Sequence, residues 1–110
     1  MYKLTYGALV LLLAACTPGY NSDQQHALRS YRTNWSLYGD GIPEEPLSDS
    51  QVLRLAKRVC PLIRSEKGNA EAAFASFLPR TGISSEHTRI VFGTGVGAYC
   101  REYLGAVQDL

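Results

Sequence analysis

Three thiols are the most reactive groups in this chain, and their surroundings give them different chemistry. Cys16 follows Leu13-Ala14-Ala15 at the end of an apolar run. Small residues closing an apolar run suit the cleavage point of an export signal. Cys60 and Cys100 stand far apart in sequence. An odd cysteine count in an exported protein needs an account; with Cys16 set apart by its place at the end of the apolar run, two remain. A bridge between them would close a loop of about 40 residues, worth about 4 kcal/mol in the chain-entropy model. Two buried free thiols or a metal site are the alternatives, but His26 and His87 are scattered and supply no zinc-like spacing. In an oxidising compartment the bridge is the expected state.

The other groups with chemical potential resolve into structure. Ser84, Ser85, Glu86 and His87 place a nucleophile-like hydroxyl near a histidine. At a helix start this is cap chemistry, with Glu86 favourable to the helix dipole. Glu44 and Glu45 lie between Pro43 and Pro46, and nothing rigid is expected to set them as an acid/base pair. Gly93-Thr94-Gly95-Val96-Gly97 lacks the Lys-Ser/Thr of a phosphate loop and the strand that would precede one. Each glycine inside a helix costs about 1 kcal/mol against alanine, so the run is expected to allow close helix approach, with a ligand-facing groove as the alternative. No catalytic residue, metal site or cofactor is expected. The candidate interaction surface is Tyr31, Trp35 and Tyr38 flanked by Arg29 and Arg32, because interfaces concentrate aromatics and arginine. The same stripe could instead dock its helix on the rest of the fold. Asn34-Trp35-Ser36 matches a glycosylation acceptor, expected to be silent in a bacterial exported protein.

These residues need elements to carry them. Lys3 followed by an apolar stretch to Ala15 has the order of a secretory signal. A dozen residues of helix span roughly 18 Å, short of the ~30 Å hydrocarbon core of a bilayer. With Cys16 behind two small residues, the segment resembles the lipobox of bacterial lipoproteins. That resemblance implies a cleaved signal over 1–15, a multiply acylated Cys16 and a position on the outer face of the cell membrane. Residues 16–24, rich in Pro, Gly, Asn and Ser, read as a flexible lipidated tether. Residues 25–110 are then one small helical domain. Its formal charge is close to balanced, +1 for the whole chain including Lys3, which argues against a nucleic-acid partner.

Four helices are expected. The first runs to Tyr38, capped by Ser22 or Asp23. The second opens with the capping box Ser48…Gln51 and meets Pro61, where a kink or a break is expected. The third runs from Asn69 or Ala70 to Leu78. The last is capped by Ser84 or Ser85 and runs to about Val107, with an inward stripe of Phe92, Val96, Tyr99, Cys100, Tyr103 and Val107. The fold class is therefore all-α, a bundle of three or four helices stapled by one disulfide between the second and last.

Cys60 after Val59, Gly68, and Ile90-Val91-Phe92-Gly93 leading into Val96-Gly97-Ala98-Tyr99-Cys100 carry a further resemblance. Over residues 47–103 the chain is similar to the small exported actinobacterial proteins grouped as domain-of-unknown-function family 732. Pro61 and Arg101 depart from that pattern. The resemblance implies a compact helical domain with the two cysteines paired and no assigned activity, in a mycobacterium or relative or a phage of one. The functional expectation is a non-enzymatic, lipid-anchored cell-envelope protein that binds another envelope protein. The alternatives are a phage- or prophage-encoded superinfection-exclusion lipoprotein, and a small-molecule or lipid carrier with a cavity lined by Phe74, Phe77, Phe92 and Tyr99.

Overall fold

In the computed structural model, which describes residues 19–108 and 110, every regular element is a helix. The expected signal over 1–15, the expected acylation residue Cys16 and the start of the expected tether lie outside the described residues. Helix α1 spans Ser22–Tyr38. Its cap is Asn21 rather than Ser22 or Asp23: the Asn21 side chain accepts from the Gln24 backbone while the Gln24 side chain takes the Asn21 N–H. The last three residues assigned to the tether are therefore helical, and the folded body starts earlier than residue 25. Residues 39–48 form a strap with Gly41 in the left-handed region and Pro43 and Pro46 along it.

The Ser48 capping box closes as its spacing requires and starts α2, Asp49–Ala56. Helix α3, Val59–Ser65, follows after a break at Lys57 and Arg58. Pro61 explains the break, since in a continuous helix its ring would collide with the Lys57 carbonyl. Lys67 and Gly68 both take positive φ and turn the chain towards α4, Ala70–Phe77, capped by Asn69. A single 3₁₀ turn at Leu78–Arg80 leads to Ser84, which caps α5, Ser85–Tyr99. The last helix was expected to continue to Val107. It stops instead at Cys100, whose φ of −154° and ψ of 67° are not helical, and the chain resumes as a 3₁₀ turn and the short α6, Leu104–Val107.

Helix α5 is the centre of the bundle, packed along α1 and against α2, α3 and α6. Its buried residues go all the way round: His87, Thr88, Ile90, Val91, Phe92, Thr94, Val96 and Ala98 share no single stripe. A helix apolar on most sides has neighbours on most sides. Phe92 takes Phe74 edge-on at 5.4 Å and lies 5.8 Å from Phe77, so these rings fill the core. Cys60 and Cys100 are joined, with Cα atoms 6.0 Å apart, and tie α3 to the end of α5. The two glycine readings divide by residue. A Cβ on Gly95 would lie 2.6 Å from the Ala56 carbonyl oxygen and 2.9 Å from Val59, whereas Gly93 and Gly97 face open space. Close approach accounts for Gly95 alone, at the break between α2 and α3.

Candidate functional site

Two features concentrate the groups that could act. The first is a polar junction beneath the strap. Capping by Ser84 turns the first residues of α5 inward, and His87, one turn in, is fully buried. Tyr31 arrives from α1 and Glu44 from the strap. The Tyr31 hydroxyl lies 2.7 Å from His87 Nε2 and accepts from the Leu47 N–H at 2.9 Å. His87 Nδ1 lies 3.1 Å from Glu44 Oε1, which also accepts from Ser84 Oγ at 2.9 Å, and the Ser84 N–H reaches Glu44 Oε2 at 3.0 Å. Trp35 closes the side, its ring centroid 4.7 Å from the imidazole. Burial raises the Tyr31 hydroxyl above the usual tyrosine range, against the opposing pull of the Leu47 N–H, and so keeps its proton. For Glu44, desolvation pushes upward but the bonds from Ser84 and His87 win, and its carboxyl is held below the usual glutamate range.

Glu44 is therefore not an idle linker residue, and His87 does more than begin a helix. The reading of Ser84 as a cap holds, since its Oγ accepts from the His87 N–H. That reading stopped short of the serine's second bond, to Glu44. His87 is wholly inside, and the junction ties the strap to α1 and α5. Replacing Tyr31 by Phe strips the Leu47 N–H of its acceptor and His87 of its partner inside the fold. A loss of about 1–3 kcal/mol is expected, read as a lower urea midpoint with an unchanged slope.

The second feature is the C-terminal end of α1. Leu37 and Tyr38 are 64% and 65% exposed. Tyr38 borders an open groove of about 710 Å³ shared with Ile42, Ile90, Gly93, Val107 and Leu110, with Glu86 and Arg89 also along it. The expected surface cluster is thus split. Tyr31, 3% exposed, belongs to the core, and Trp35 is half-buried on His87. Both were candidates for an exterior surface; their ring-to-ring contacts with the imidazole turn them inward. Arg32 makes two bonds of 2.8 Å to Asp49, pinning α1 to the start of α2, while Arg29 is exposed. Only Tyr38 of the aromatic trio keeps an outward face, joined there by Leu37.

Among the described residues no helix is long and apolar enough to cross a membrane, and no three His, Cys, Asp or Glu side chains are grouped as a metal would need. No protein-family model, curated protein or solved structure matches the chain.

Proposed function

We propose that this chain is a non-enzymatic, lipid-anchored protein of the bacterial cell envelope whose helical body docks another envelope protein at the end of α1. The anchor rests on Leu13-Ala14-Ala15-Cys16 behind its apolar run. The likeness of residues 47–103 to domain-of-unknown-function family 732 fits the same exported setting. Acyl chains on Cys16 would hold the body to the outer face of the membrane, since more than one chain is needed for durable anchoring.

The observation that carries the docking reading is exposed Tyr38 at the lip of a groove lined by Ile42, Ile90, Val107 and Leu110, with exposed Leu37 its chain neighbour. Large apolar side chains grouped in this way on a small protein mark interaction surfaces. An aromatic residue beside a groove is the usual anchor of one.

The test places a photo-crosslinking phenylalanine analogue at position 38, and in a control at Glu71 on α4, in the full chain in a native-like envelope. Intact mass spectrometry of the membrane fraction then reads both parts. A mature chain beginning at an acylated Cys16 is expected. So is a discrete protein adduct from position 38 that falls about tenfold or more with Gly93→Glu, the equivalent of one hot-spot contact. An unmodified Cys16 overturns the anchor; equal adducts from positions 38 and 71 overturn the docking surface.

A further inference from the structure

Three donors and no acceptor meet the Glu44 carboxylate: the Ser84 O–H, the Ser84 N–H and His87 Nδ1–H. An anion accepts all three. A carboxylic acid turns one oxygen into a donor that faces another donor. On the far side of the imidazole, Leu47 N–H donates to Tyr31 Oη, which shares a hydrogen bond with His87 Nε2. With Glu44 ionised every donor that faces it has an acceptor, and a proton added to Glu44 sets a donor among donors.

The strap depends on this junction. Among the described residues, no backbone-to-backbone hydrogen bond joins residues 40–47 to a helix. Apart from Ile42 and Leu47, which pack on the core, the side-chain bonds of Glu44 and Tyr31 hold it down. We propose that residues 39–48 are a proton-operated latch, closed over Tyr31, Trp35 and His87 while Glu44 is ionised and released when Glu44 is protonated.

The surrounding charges leave Glu44 as the operating group. On α1, Tyr31 bonds His87, while Arg32 is turned to Asp49 of α2. On the strap Asp40 and Glu45 are exposed, and on α5 Glu86 and Arg89 are exposed. None of these makes a polar bond to Glu44 or His87 among the described residues beyond that of Tyr31. The Glu44 side chain keeps 29% of its surface in solvent, so protons reach it without prior unfolding. Its folded value lies below the ordinary glutamate value of 4.5. The stability it adds is therefore present above that value and is lost as pH falls through the lower, folded one. The latch holds at neutral pH and through mild acid, and opens below the ordinary glutamate range.

Trp35 is the only tryptophan and packs on the imidazole, so its fluorescence reports the latch. The full, disulfide-intact chain is titrated from neutral pH into acid. Trp35 emission is expected to move to longer wavelength in one step below the glutamate range while helical circular dichroism holds. Hydrogen exchange of residues 39–48, corrected for its intrinsic pH dependence, should rise about tenfold for each charge-assisted bond lost. Glu44→Gln should give the open signal already at neutral pH and no acid step. Asp49→Asn, which removes only the exposed partner of Arg32, should keep the step. A Trp35 change that coincides with loss of helicity overturns the proposal, as does a step that survives in Glu44→Gln. If that variant does not fold, exchange in the unaltered protein decides: equal protection of residues 39–48 at neutral pH and just above acid unfolding overturns it.

Discussion

Replacing both Cys60 and Cys100 by alanine is expected to lower the melting temperature by roughly 15–30 °C. The pair is separated by 40 residues, and releasing a loop of that length costs about 4 kcal/mol in the chain-entropy model. In a domain this small 1 kcal/mol moves the melting temperature by about 4–8 °C. Both residues are buried at 2% exposure, so the alanines also leave small voids that add to the loss. Total stabilities of such domains run about 5–15 kcal/mol, so the bridge carries a large share of the margin. Thermal melts followed by circular dichroism, for the double variant and for the reduced native chain, check this. A shift below about 5 °C would mean the core of α5 and its neighbours suffices unaided.

The second large effect lies in one atom on α5. Gly95→Ala puts a Cβ against the Ala56 carbonyl oxygen and the Val59 side chain at distances that real contacts do not reach. Ala56 ends α2 and Val59 begins α3, so relief requires moving the junction of two helices. The expected net loss is about 2 kcal/mol, in the range of overpacked cores, despite the gain of about 1 kcal/mol that alanine brings to a helix interior. Gly97→Ala meets nothing within 4 Å and should keep that gain, stabilising by about 0.5–1 kcal/mol. The two variants, two residues apart on one helix, are thus expected to move the urea midpoint in opposite directions. Equal midpoints would show that α5 can lift from the α2–α3 junction at no cost.

What could be read in the sequence was local. Ser48 with Gln51, Asn69 and Ser84 each declared a helix start through a side chain and the backbone three residues on. Pro61 declared a disturbance, and only its form, a break in place of a kink, waited on packing. The stop at Cys100 had no such signal, since Ala98 to Tyr103 holds neither proline nor glycine. The junction of Tyr31, Glu44 and His87 joins residues 43 and 56 positions apart, a pairing that no local pattern encodes. One sign was there: His87, Val91, Thr94 and Ala98 fall on one helical face, and all four are buried. A histidine on that face needs polar partners inside. Its position three residues after the Ser84 cap does not reveal those partners, which come from α1 and the strap. The inward stripe from Phe92 to Val107 fails for a related reason: α5 is surrounded by neighbours, so no one-sided pattern marks its buried residues, and it ends at Tyr99.

The bridge encloses everything from Cys60 to Cys100 and nothing before it, so α1, the strap and α2 lie outside the closed loop. Force therefore does not meet the two parts alike. A pull through the N-terminal segment reaches α1 first, where packing, the Arg32–Asp49 pair and the junction at Glu44 resist it among the described residues. Once α1 and α2 peel away, extension stops at Cys60, with roughly 140 Å of contour length shut behind a covalent bond. Under tension the protein yields in its first half and keeps the second intact, a mechanical fuse placed at the end of the chain that would be anchored.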